Sequence, residues 1–323
     1  MDMKPFRGKF RYILLLGVIV FSALFLIKNN VEQSLSEPVG QGALFEEKAE
    51  YVRVGEENHN IRYVSAGQGE QTLILIHGLG ATAYTWRHLI DLLAEEYRVY
   101  ALDLIGFGMS DKPDAKPSPR FFADFMVDFM DAVGADQAHL IGNSLGGAVA
   151  AATALWHPER VQTIGLIGAG GYDDLMAHRP FFVRLAGYPV IGEGIILLSQ
   201  ISPRGIVRST LEESAYDPDF IDDDIVHEFA RAFVTPNYRR FVLRFIREFY
   251  YEDLEKGIPE ISHPALILWG AEDEWIPVAF AHRFHADLPD SKLVIFEECG
   301  HEPQEEQPER TADVIRSFIE DSL

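Results

Sequence analysis

Six short runs along this chain are apolar enough to be buried on both faces: Thr72–His77, Arg98–Asp103, His139–Gly142, Val161–Ile167, Ala265–Trp269 and Lys292–Phe296. Each has the length of a strand. Strands apolar on both faces belong in a parallel sheet covered by helices on both sides. Between them the apolar positions recur with helical spacing, over Thr85–Glu96, Arg120–Val133, Leu145–Trp156, Ala279–Leu288 and Glu309–Ile319. Regular alternation of strand and helix predicts right-handed crossovers and an open, mostly parallel α/β sheet. A ligand then binds at the carboxyl ends of the strands. Ahead of this pattern, Tyr51–Val54 and Ile61–Val64 predict a hairpin.

The rhythm breaks between about residues 174 and 251. Helical patterns appear at Phe181–Leu185, Glu193–Gln200, Ile221–Phe233 and Tyr238–Tyr250, with Pro180, Pro189, Pro203, Pro218 and Pro236 marking breaks. The stretch lies between two core strands, so it predicts a helical lid inserted over their carboxyl ends. No repeat of fixed period is visible.

Residues 12–27 carry no charge and are almost wholly apolar. As a helix they span about 24 Å, a little short of a hydrocarbon core of about 30 Å. Lys9, Arg11 and Lys28 flank them and can snorkel to close the gap. No small-x-small cleavage site follows Ile27, which favours an uncleaved anchor over a cleaved signal peptide. The basic flank predicts a cytoplasmic start and a body on the far side of the membrane, periplasmic or extracellular; cleavage would make it secreted. Residues 1–30 thus form flank and anchor, 31–50 a polar tether, and 51–323 the folded α/β domain, with the lid inserted at about 174–251.

Composition sharpens this outline. The chain has 323 residues, 47% of them hydrophobic, and one cysteine, so an apolar core rather than an intrachain disulfide must hold it. Its net charge is −22. Residues 1–30 carry +4, which leaves −26 on the remainder. So acidic a body repels nucleic acid and anionic lipid head groups. Oligomeric state stays open.

The candidate chemistry sits just past the strands. Gly142-Asn-Ser144-Leu-Gly146 follows the His139–Gly142 strand and opens a helix, the setting of a nucleophile elbow. Glycines on both sides allow a tight turn, and the helix amino terminus favours an oxyanion. Asp273 follows the Ala265–Trp269 strand, and His301 follows the Lys292–Phe296 strand. Serine, acid, histidine in that order, each beyond a core strand, predicts a catalytic triad of Ser144, Asp273 and His301. The backbone N–H groups of Leu79, in His77-Gly-Leu-Gly80, and of Leu145 predict an oxyanion hole. Asp173 and Asp174 are the alternative acid. His77, Cys299, Trp86, Trp156 and Trp269 read as structural residues. Asp103 and Asp111 have no nearby histidine to complete a metal site, and Asp222-Asp-Asp224 reads as a helix start. No metal or cofactor is expected.

These motifs, with Asp103-Leu-Ile-Gly-Phe-Gly-Met-Ser-Asp111 and Trp269-Gly-Ala-Glu-Asp273, resemble those of the α/β-hydrolase superfamily over residues 61–323. Within it the chain resembles membrane-anchored monoacylglycerol lipases and bacterial serine esterases. The resemblance implies hydrolysis of carboxylic esters, lipid-like ones above all, through an acyl-enzyme on Ser144. Superfamily members that open epoxides or displace halide carry aspartate at the elbow, which Ser144 argues against. Carbon–carbon bond hydrolases of dienoates share the serine but commonly carry tryptophan after the catalytic histidine, where this chain has Glu302. Such a hydrolase, or a non-catalytic ligand-binding protein on the same fold, is the alternative.

Overall fold

The computed structural model describes residues 26–174 and 185–322. Its strands are β1 (Ala49–Val54), β2 (His59–Ala66), β3 (Thr72–Ile76), β4 (Arg98–Leu102), β5 (Ala138–Asn143), β6 (Val161–Ile167), β7 (Ala265–Gly270) and β8 (Ser291–Phe296). They form one sheet in the order β1-β2-β4-β3-β5-β6-β7-β8. The β1–β2 and β2–β4 pairs are antiparallel; every later pair is parallel. Each expected strand is present, displaced by two residues at most at either end. Side chains alternate between the faces as strand geometry demands. Ile74 and Ile76 enter the core on one face, Leu73 and Leu75 that on the other.

Helices cover both faces. On the first lie α3 (Pro119–Val133), α4 (Leu145–Trp156) and α10 (Ala279–Asp287), contributing Phe122, Met126, Ala148 and Phe284. On the second lie α2 (Arg87–Leu93) and α11 (Pro308–Asp321), contributing Leu89, Leu93, Ile315 and Ile319. The ends of α3 follow local chemistry. The Ser118 hydroxyl accepts from the Phe121 N–H at 3.1 Å, Pro119 starts the helix, and Gly134 ends it at φ 73°.

Between β6 and β7 the inserted segment holds α5 (Pro189–Ile201), α6 (Pro203–Ser214), α7 (Asp223–Phe233), α8 (Tyr238–Glu248) and α9 (Glu252–Gly257). The patterns at Glu193–Gln200, Ile221–Phe233 and Tyr238–Tyr250 correspond to α5, α7 and α8. The helix expected at Phe181–Leu185 lies outside the described residues apart from its last position. Helix α6 was not expected, because Pro203 reads as a break. Here it occupies the first helical position, where its missing N–H costs nothing.

The anchor segment lies outside the described residues except for Leu26 and Ile27; residues 26–34 are helical. Among the described residues no single helix is long and apolar enough to cross a membrane. The expected tether is not free chain. Its middle forms α1 (Gly40–Glu47), and Leu35 and Phe45 are buried in the core of the second face. The Gln41 N–H donates to Asp224 at 2.7 Å, and His227 Nε2 donates to the Glu37 carbonyl at 2.8 Å. Glu46 lies 2.8 Å from Arg62 and 3.4 Å from Arg231 of α7. Buried charge and two apolar anchors hold a stretch whose composition alone reads as a linker.

Candidate active site

Ser144 closes β5 and opens α4 with φ 54° and ψ −116°, a conformation costing a non-glycine residue about 1–3 kcal/mol. Its neighbours hold it there. The Ser144 N–H donates to the Ile167 carbonyl at 2.8 Å, and its own carbonyl accepts from the N–H of Gly170 at 2.9 Å and of Gly147 at 3.1 Å. The flanking glycines are obligatory for steric reasons. A Cβ on Gly142 would stand 2.1 Å from the backbone of Gly146, and one on Gly146 would stand 2.0 Å from the Ile76 carbonyl oxygen. The elbow is thus pressed between two strands and its own helix.

Asp273 lies in the turn after β7, buried. Its Oδ1 accepts from the N–H groups of Trp275 at 2.9 Å and Ile276 at 2.8 Å. That orientation leaves Oδ2 for His301 Nδ1, at 2.7 Å. His301 is buried as well. Burial disfavours its imidazolium, but the adjacent Asp273 charge and hydrogen bond outweigh this and raise its pKa to about 9. With Nδ1 engaged by Asp273, Nε2 is the nitrogen available to act as a base.

Other strand ends close in on this pair. Gly168, after β6, has φ 51°, and a Cβ there would lie 3.1 Å from His301 Nδ1 and 3.3 Å from Asp273 Oδ2. The Asn143 side chain donates to the His301 carbonyl at 3.0 Å, tying the elbow to the histidine loop. After β3, a Cβ on Gly78 would stand 3.1 Å from Ser144 Cβ, so the His77–Gly80 loop borders the serine. The N–H groups of Leu79 and Leu145 have no acceptor among the described residues. The latter lies at the amino terminus of α4, where the helix dipole favours negative charge.

The residues read as structural have structural partners. His77 donates from Nδ1 to the Gly78 carbonyl at 2.7 Å and accepts at Nε2 from the Leu104 N–H at 2.9 Å; burial lowers its pKa, which suits this neutral role. The Asp103 carboxylate takes the N–H groups of Ala83 and Met109, both at 2.7 Å, and faces Arg62 at 3.4 Å. Asp111 accepts from the Asn60 N–H. Asp173 accepts from the Tyr251 N–H and Asp174 pairs with Arg283, so the alternative acids serve the base of the lid. Asp222 caps α7. Cys299 is buried, and burial pushes its thiol pKa far up. Trp86 and Trp269 are buried in the core, and Trp156 packs against it.

Three contacts went unread in the sequence. The Trp275 ring stacks on His301, with centroids 5.7 Å apart. The His301 N–H donates to the Ser214 carbonyl at the end of α6, at 2.8 Å. Glu306 accepts from the N–H groups of Gly300 and Tyr216, joining the histidine loop to the lid. Only Trp275 left a signal, its position two residues beyond Asp273. Beside His301 lies a cavity of about 80 Å³, bordered by Leu79, Trp275 and Glu302 from the body and by Val207, Leu211 and Phe229 from the lid.

A profile described as alpha/beta hydrolase family matches residues 73–314. The 2-hydroxymuconate semialdehyde hydrolase of Pseudomonas sp. (strain CF600) is 31% identical over 258 residues, 76% of this chain and 86% of that protein. Among solved structures, a meta-cleavage product hydrolase from Pseudomonas fluorescens IP01 is similar at 28% identity and a TM-score of 0.69, over 85% of this chain and 98% of its own. A membrane phospholipase A, titled a bacterial virulence factor, is similar at 26% identity and a TM-score of 0.70, over 98% of this chain and 99% of its own.

Proposed function

Since this chain belongs to the α/β-hydrolase family, we propose that it is a serine hydrolase with Ser144 as nucleophile, His301 as base and Asp273 as the acid that orients it. The observation that carries this reading is the buried Asp273–His301 pair at 2.7 Å, one strand end away from a serine held at positive φ. His301 takes the Ser144 proton as the hydroxyl attacks a carbonyl carbon. The N–H groups of Leu79 and Leu145 hold the oxyanion. Collapse of the tetrahedral intermediate expels the leaving group, which takes the proton from His301. Water, deprotonated by His301, then releases the acyl group.

The first reading of the substrate is a carboxylic ester with a lipid-like acyl chain. In its support, the likeness to the membrane phospholipase A extends over 98% of the chain, against 85% for the meta-cleavage product hydrolase. The mostly apolar lid side of the cavity agrees with it. The second reading is carbon–carbon bond hydrolysis of a dienoate, and the names of curated relatives at 28–32% identity favour it over the first. Both use the same serine and differ in the bond broken. The anchor at residues 12–27, with the body on the non-cytoplasmic side, belongs to the first reading: it would keep the site beside its substrate.

The deciding experiment is hydrolysis of p-nitrophenyl esters from acetyl to palmitoyl, and of a 2-hydroxy-6-oxo-dienoate, by wild type and Ser144→Ala. Ester turnover lost in the variant supports the first reading, and the preferred chain length gives the acyl class. Turnover of the dienoate alone moves the assignment to the second. Binding without turnover of either would leave a ligand-binding protein.

A further inference from the structure

Glu302 follows His301 directly and borders the cavity beside it, half-buried, with its carboxylate accepting a hydrogen bond from Gln304. No other lining residue of that cavity, from body or lid, has an ionisable side chain. The surroundings do little to cancel a charge there. His301 opposes it only while protonated, and catalysis requires His301 neutral. Glu305 and Glu306 add negative charge, and Arg87 is held by Glu305 at 2.8 Å. A carboxylate at the wall of a small, largely apolar cavity is poorly screened.

We propose that Glu302 is a specificity-determining residue that rejects substrates carrying a negative charge near the scissile carbonyl and so directs the site to uncharged acyl or alkyl groups. This rests on the serine hydrolase reading and deepens it, because dienoates of the second reading carry a carboxylate whereas neutral esters do not. Two like charges about 6 Å apart at an effective dielectric near 20 discriminate by roughly 100-fold.

The test compares kcat/KM at pH 8 for p-nitrophenyl hexanoate and for the p-nitrophenyl monoester of adipic acid, which ends in a carboxylate. Wild type should favour the hexanoate by roughly 100-fold. Glu302→Gln should cut that ratio at least tenfold, and Glu302→Asp should keep it. A wild type that does not discriminate, or a folded Glu302→Gln variant with an unchanged ratio, would overturn the proposal. Should Glu302→Gln not fold, the wild-type ratio is followed from pH 5.5 to 8.5. Burial raises the Glu302 pKa to about 7, so the preference for hexanoate should grow across that range; a flat ratio overturns the proposal. The ester reading fails separately, if neither ester is turned over while a dienoate is. Preference for the free dienoate over its methyl ester would overturn the Glu302 proposal whatever the esters do.

Discussion

His301 and Glu302 are adjacent in the chain, and the pKa of each is raised, to about 9 and about 7. For catalysis the sign is simple. Only neutral His301 can take the Ser144 proton, so kcat/KM should climb with pH toward about 9. Asp273→Asn removes the largest of the effects that raise this pKa and leaves burial opposed only by the Glu302 and Glu306 charges. The acid limb of the pH–rate profile should then move to lower pH, with kcat reduced roughly 10³–10⁴-fold. For stability, a raised folded pKa means that protonation favours the folded state. The Glu302 contribution is complete below about 4.5 and lost as pH rises through about 7; that of His301 is complete below about 6.5 and lost through about 9. Thermal melts across pH should show Glu302→Gln flattening the lower window and moving the upper one to lower pH, because the Glu302 charge helps to raise the His301 pKa. At this scale the sequence was generous with chemistry and sparing with contacts. Ser144, Asp273 and His301 each follow a strand and could be located by counting. Gly168, Ser214 and Glu306 meet the histidine loop only through tertiary packing, which leaves no local pattern.

Among elements, the elbow between β5 and α4 leaves little room for change. Gly146→Ala puts a methyl 2.0 Å from a backbone oxygen that cannot rotate away. We expect a loss of about 1–3 kcal/mol or more in chemical denaturation, with activity falling further because the helix must move off the strand. A second test concerns α1. Glu46 faces both Arg62, 3% exposed, and Arg231, 7% exposed. Glu46→Ala leaves two buried guanidinium groups short of a partner, at a cost of about 1–3 kcal/mol. Hydrogen exchange should quicken over α1 and α7 and stay unchanged in β5 to β7. The strands and the covering helices were legible because burial on one or two faces imposes a strict period. Helix α6 was hidden by a proline that starts it, and α1 by a polar composition whose burial depends on a distant helix.

Over the whole molecule, charge divides the chain. The first 30 residues carry +4 and the remainder −26. A body so charged, released by deletion of residues 1–30, should not float with anionic vesicles in a sucrose gradient at low salt. The full chain should float with them if residues 12–27 anchor it. Flotation of neither form would remove the membrane from the functional account. Legibility at this scale was uneven. Alternation and crossover handedness predict an open, mostly parallel sheet, so the class of fold could be read at once, whereas the order of its strands could not. The lid could be placed over the strand ends, but not the contacts that join it to the histidine loop, a backbone hydrogen bond and the Glu306 carboxylate.

That bond has a mechanical consequence. The carbonyl of Ser214, last residue of α6, receives the His301 N–H, while Glu306 grips the N–H groups on both sides of the joint, those of Tyr216 and Gly300. Helix α6 is therefore pinned at its carboxyl end to the loop that carries the base. Pro203, Val207 and Leu211 of the same helix are buried too, so it is packed along its length. Lifting the Ser214 end would draw the imidazole off its carboxylate. A lid fastened this way cannot loosen at that end without disarming the proton acceptor.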